Sequence, residues 1–155
     1  MKLAALMPSD APQMAHMHAA AFANGTPWTA AAIGAMLERS EIRGRGVWDG
    51  ARLVAFILVQ CADRTAEILT LATHPDHRRQ GLGRALILDV EHQPEASGLL
   101  NWWRDVAADN PEAIAFYQAM GFQIDGRRPK YYARLEGRRG DAILMSKARA
   151  GQTVN

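Results

Sequence analysis

One stretch constrains this chain more than any other: Thr73-His74-Pro75-Asp76-His77-Arg78-Arg79-Gln80-Gly81-Leu82-Gly83-Arg84-Ala85-Leu86. The apolar run from Glu67 to Thr73 reads as a strand that Pro75 stops. Leu82, Leu86, Ile87 and Val90 recur at helical spacing, predicting a helix from Gly81 to about His92. Between them lies a basic turn that opens on Gly81-Leu82-Gly83. The first N–H groups of a helix have no intrahelical partner, and the helix dipole is positive at that end. Glycines let a ligand approach the backbone closely. Arg78, Arg79 and Arg84 add positive charge around the same point. The turn therefore suits an oxygen-rich anion, and the plain alternative is a tight strand-to-helix turn with solvated arginines. It lacks the Lys-Ser/Thr of a P-loop. It also lacks the third glycine and the ribose-binding acid of a dinucleotide fingerprint.

The rest of the chain supplies a mixed set of elements. Leu3 to Met7 reads as a short strand, followed by a helix capped by Ser9 or Asp10 with Met14, Met17 and Ala21 on one face. His16 and His18 flank that stripe, which predicts surface or half-buried positions. Asn24 to Pro27 is a loop, and Thr29 caps a second helix that buries Ile33, Met36 and Leu37. Glu41 to Gly46 reads as a charged turn. Asp49-Gly50 predicts a hairpin between Val47-Trp48 and Leu53 to Val59, and Ala62 to Arg64 a second turn. A strand from Leu99 to Val106 precedes a helix from Asn110 to Met120, closed by Gly121. Closing strands fall at Phe122 to Ile124, around Tyr131-Tyr132, and at Ala142 to Met145. The order predicts one mixed α/β domain over residues 1–150 built on a single sheet, with 151–155 as a loose tail.

Composition narrows the function classes. A chain of 155 residues fits one domain and buries a core without disulfides or metal. A single cysteine, Cys61, excludes an intrachain disulfide and reads as a buried structural thiol. No Cys/His spacing resembles a zinc site. A net charge of +2 is too small to argue for nucleic acid. No segment is long enough to span a membrane or to serve as a secretory signal, so a cytoplasmic location is expected.

Arg78-x-x-Gly81-x-Gly83 after a strand end resembles the pyrophosphate-binding motif of the GNAT superfamily of N-acetyltransferases. A second block, from Asp105 through Asn110 and Tyr117 to Gly121-Phe122, resembles that superfamily's strand, asparagine, helical tyrosine and Gly-Phe segment. Pro27-Trp28-Thr29, Arg127 to Tyr132 and Gly140-Asp141-Ala142 are similar to the RimI class, the bacterial ribosomal-protein-alanine N-acetyltransferases. The resemblance runs from about Leu3 to Met145. It implies a GNAT-like α+β fold, with a central, mostly antiparallel mixed sheet flanked by helices.

The resemblance also implies roles. Leu71, Ala72 and Thr73 match the strand end that holds the acetyl and pantetheine groups of acetyl-CoA. Arg78, Arg79, Gln80, Gly81, Leu82, Gly83 and Arg84 match the pyrophosphate loop. Asn110 matches the cofactor-contacting asparagine, a position where a helix N-cap is equally natural. Tyr117 matches the general acid: a phenol with a pKa near 10 can protonate a departing thiolate. Its plain alternative is a core residue with a satisfied hydroxyl. Asp105 stands where the family has a glutamate base; it is one methylene shorter and can work through a bridging water. An α-amino group titrates near 7.7–8.0, so the base has modest work to do. Arg104 occupies a position that is usually apolar, and strand alternation sets it on the face opposite Trp103 and Asp105. Either that face is locally open or Arg104 pairs with an acid. Trp28, Tyr131 and Tyr132 match the acceptor channel, and Glu38, Glu41, Asp125 and Glu136 are acids available to basic acceptor residues.

These matches imply a monomer or weak dimer that moves acetyl from acetyl-CoA to a primary amine by direct attack in a ternary complex. The implied acceptor is the N-terminal alanine of a small-subunit ribosomal protein. The competing readings are transfer to a small-molecule amine or a lysine side chain, and an acyl-CoA-binding module that performs no transfer.

Overall fold

The computed structural model describes residues 1–22, 27–96, 98–133 and 139–149. Its strands are β1 (Lys2–Ala5), β2 (Ile42–Asp49), β3 (Arg52–Ala62), β4 (Thr65–Thr73), β5 (Asn101–Ala107), β6 (Gln123–Ala133) and β7 (Arg139–Ala148). Its helices are α1 (Ala11–Ala21), α2 (Ala30–Leu37), α3 (Leu82–His92) and α4 (Pro111–Ala119). The strands form one sheet in the order β1-β2-β3-β4-β5-β7-β6. Every pairing is antiparallel except β4 with β5. The mixed, mostly antiparallel sheet read from the sequence is therefore the one observed.

The helices cover both faces of the sheet. On one side α3 and α4 pack Leu86, Ile87, Val90 and Tyr117 against Ala55, Ile57, Val59, Ile68, Trp102 and Val106. On the other, Met14, Met17 and Ile33 from α1 and α2 pack against Leu53, Phe56, Leu58 and Ala72. Each large side chain so buried contributes about 1.5–3 kcal/mol. The central strand β3 is buried from Leu53 to Val59, as a strand covered on both faces must be.

Local chemistry sets the turns. Gly50 takes a positive φ of 61° between the paired residues Asp49 and Arg52. Asp63 and Arg64 both have positive φ, giving the tight turn that joins β3 to β4. The Thr29 hydroxyl caps α2 by accepting from the Ala32 N–H at 3.1 Å.

Three local expectations are corrected. Glu41 to Gly46 is no charged turn: Ile42 onward is β2. A Cβ on Gly44 would stand 2.8 Å from the Leu37 side chain, and one on Gly46 would stand 2.8 Å from that of Leu53. These glycines therefore leave room for apolar packing inside a strand. Asp10 does not cap α1, because its carboxylate accepts from the Met7 N–H at 2.8 Å. His18 is not half-exposed but buried against Phe22 and Trp28. Cys61 is half-buried, and burial pushes its thiol pKa up. The tail at 151–155 and the loop residues 24–26 lie outside the described residues.

Candidate active site

The β4–β5 ladder is short. It runs through Thr65↔Asn101, Ala66↔Trp102 and Glu67↔Trp103 and then stops. A register shift opposite Leu58 and Val59 marks a bulge in β4 just beyond this point. From Ile68 to Thr73, β4 pairs with β3 alone, and from Arg104 to Ala107, β5 pairs with β7 alone. The two parallel strands thus part and leave a gap in the middle of the sheet. Its β4 side carries Leu71, Ala72 and Thr73.

The basic turn follows directly from that edge. Arg79 has φ 62° and Gly81 φ 77°, so the backbone coils its N–H groups to one side before α3 begins. No side chain caps α3, and the first intrahelical bond runs from the Ala85 N–H to the Gly81 carbonyl. A Cβ on Gly81 would meet nothing within 4 Å. Arg79, Gln80 and Arg84 are exposed around this point. Free donors, an open approach and positive charge fit a pyrophosphate group. Gly83 acts through packing instead. A Cβ there would stand 3.0 Å from the Phe116 ring, so its absence lets α3 and α4 close together. Arg78 turns the other way, donating to the Ala21 carbonyl at the end of α1 at 3.1 Å.

Asn110 caps α4, its Oδ1 accepting from the Ala113 N–H at 3.1 Å. Tyr117, one helical stretch later, is only 3% exposed and lies edge-on to Phe116 and Phe122. Burial raises its pKa and the nearby Arg104 opposes that rise, so the phenol is protonated at neutral pH.

Strand alternation assigns the remaining groups. Trp102 and Val106 belong to the α3–α4 core, so Trp103 and Asp105 face the α1–α2 side. Asp105 is buried, with Arg128 Nη1 of β6 at 3.8 Å. Ala66 and Ile68 likewise face α3 and α4, which turns Glu67 to the side of Asp105. Burial first, then the charge of Asp105, raises the Glu67 pKa, while Arg104 lowers it. Arg104 spans the gap: its Nη1 donates to the Ile68 carbonyl at 3.0 Å, and its guanidinium lies 5.6 Å from the Tyr117 ring centroid. A backbone carbonyl and an aromatic face thus receive it, and its charge also acts on Glu67.

The residues matched to an acceptor channel make different contacts. Trp28 stacks on His18 at 4.9 Å, and Tyr131 carries the Arg128 guanidinium over its ring at 4.5 Å. The side chain of Tyr132 and all of Glu136 lie outside the described residues. Glu67 and His18 are the groups that sequence reading missed. The detectable signal for Glu67 is a lone acid inside an apolar strand.

The gapped parallel strand pair stands beside an uncapped, glycine-opened helix start that suits an oxygen-rich anion. Residues 13–122 match the acetyltransferase (GNAT) family, and the chain belongs to it. It is 38% identical over 95 residues to the [ribosomal protein bS18]-alanine N-acetyltransferase of Escherichia coli. That match spans 61% of this chain and 64% of the relative, short of two thirds of its length. It is 29% identical to the N-alpha-acetyltransferase RimI of Mycobacterium tuberculosis over 92% of this chain and 89% of that one. The crystal structure of the E. coli ribosomal-protein-S18-alanine N-acetyltransferase superposes with a TM-score of 0.83 at 29% identity, covering 99% of this chain and 98% of that one.

Proposed function

We propose that this chain is an acetyl-CoA-dependent N-acetyltransferase whose acceptor is a peptide α-amine, the N-terminal alanine of a small-subunit ribosomal protein. The observation that carries the reading is the gap itself. It is the break in pairing between β4 and β5 that has Asp105 on one face and Tyr117 on the other. An amine arriving from the α1–α2 side and a thioester lying on the α3–α4 side meet there without a covalent enzyme intermediate. Positioning of the two supplies much of the rate.

Acetyl-CoA brings the activated acyl carbon and a thiolate leaving group. The Arg79–Arg84 turn holds its pyrophosphate, the open edge at Leu71, Ala72 and Thr73 orients its acyl end, and Asn110 contacts it while capping α4. Asp105 takes the proton of the incoming ammonium, directly or through one water. The freed nitrogen pair forms the C–N bond as the C–S bond breaks. Tyr117 gives its proton to the departing sulfur, and the second proton that the acylated nitrogen sheds as the neutral amide forms returns, through water, to the Tyr117 phenolate. The phenol is suited to this because burial keeps it protonated.

The acceptor assignment rests on the E. coli and M. tuberculosis relatives, whose names specify ribosomal-protein-alanine N-acetylation and N-α-acetylation. Glu67 and Asp105 place two carboxylates on the proposed acceptor side, beside Arg128 and Arg104, where an incoming ammonium can be received. The test is the pair Asp105→Asn and Tyr117→Phe. Each lowers kcat by about 100-fold or more while the Kd of CoA stays within about threefold. Unchanged kcat in both removes the assigned acid and base.

A further inference from the structure

The transfer scheme leaves one charged side chain in the gap without a role. Arg104 stands on β5 beside the proposed base, half-buried, where α1, β4, β5 and α4 converge. One of its terminal nitrogens is spent on the Ile68 carbonyl. Its Nε is buried and has no hydrogen-bond partner among the described residues. A buried guanidinium with an unused N–H is costly unless an anion meets it. Of the two carboxylates at the gap, Asp105 projects to the other face of β5 and lies beside Arg128, and Glu67 on that same face feels the charge of Arg104 but makes no hydrogen bond to it among the described residues. On the α3–α4 side the neighbour of Arg104 is the Tyr117 ring, at 5.6 Å.

Resting on the acyl-transfer reading, we propose that Arg104 balances the negative charge that transfer places on the departing sulfur. When the C–S bond breaks, sulfur keeps the electron pair until it gains the Tyr117 proton. A fixed cation with a spare donor, held in a partly buried gap, stabilises that charge far more than full solvent exposure would allow. The bond to Ile68 fixes the guanidinium in place, so no reorganisation is needed as the charge forms.

The prediction is read most directly on bound product. The thiol of CoA bound to the full chain is titrated by its thiolate ultraviolet absorbance, with the same chain carrying desulfo-CoA as the blank. The groups surrounding the gap are His18 of α1, Glu67 of β4, Asp105 and Arg104 of β5, Tyr117 of α4 and Arg128 of β6. Of these, only Arg104 is changed, and the blank cancels tyrosine absorbance. Arg104→Lys and Arg104→Gln both retain a donor for the Ile68 carbonyl, which protects the fold. The bound thiol titrates about one unit higher in Arg104→Gln than in wild type, while Arg104→Lys stays close to wild type. In turnover, kcat falls about 100-fold in Arg104→Gln and less than about tenfold in Arg104→Lys. Equal thiol titration in wild type and Arg104→Gln, with CoA bound by both, overturns the inference. Loss of all amine turnover by wild type would instead overturn the acyl-transfer reading, so the two failures are distinguishable.

Discussion

The indole Nε1–H of Trp102 donates to the carboxylate of Glu91 at 3.0 Å, with both residues buried between β5 and α3. This bond ties the helix that follows the basic, glycine-opened turn to the strand that carries Asp105. Glu91→Ala leaves a buried indole donor unsatisfied and costs about 1–3 kcal/mol. Glu91→Gln keeps an acceptor and costs less. Urea unfolding of the two variants gives the comparison; equal losses would remove the hydrogen bond as the cause.

The contact between Gly83 and Phe116 sets how closely α3 and α4 pack. Gly83→Ala gains up to about 1 kcal/mol of helix propensity but forces the ring to give way by a few tenths of an ångström, and the packing loss is expected to outweigh the gain by about 1 kcal/mol. Adding Phe116→Leu makes room and restores part of the loss. A double variant no more stable than Gly83→Ala would place the damage elsewhere.

The segments with a strong local signal were legible in the sequence. The Gly81-Leu82-Gly83 opening, the Asp49-Gly50 hairpin, the Thr29 cap and the Asn110 cap each depend on a few adjacent residues, and each stands where it was read. Features that depend on distant partners were not legible. Gly44 and Gly46 look like a turn until Leu6, Leu37 and Leu53 are known to fill their places. The tilt of Arg78 toward Ala21 and of Arg104 toward Ile68 depends on residues far along the chain. Glu67 joins the site only because the β4–β5 ladder ends beside it. Strand alternation did place Asp105 opposite Arg104, which is the division on which the two-sided reading of the gap rests.

His18 makes stability depend on pH. Burial first, and the charge of Arg104 second, lower its pKa from 6.5 to about 4. Between those values the unfolded chain binds the extra proton and the folded chain does not. The stability held by neutral His18 is therefore complete above about pH 6.5 and falls as pH drops toward 4, by up to about 3 kcal/mol. In His18→Gln this part of the pH dependence disappears. Urea midpoints at a series of pH values for both proteins measure it; identical slopes would assign the acid sensitivity to other groups.

The most direct test of the account is CoA release from acetyl-CoA in the presence of two peptides. The first begins with a free alanine followed by arginines; the second has the same sequence with a blocked N-terminus and one added lysine. Turnover is expected with the first and none with the second, with an acetylated alanine in the product. Turnover with the lysine peptide alone, or with neither while CoA still binds, would contradict it.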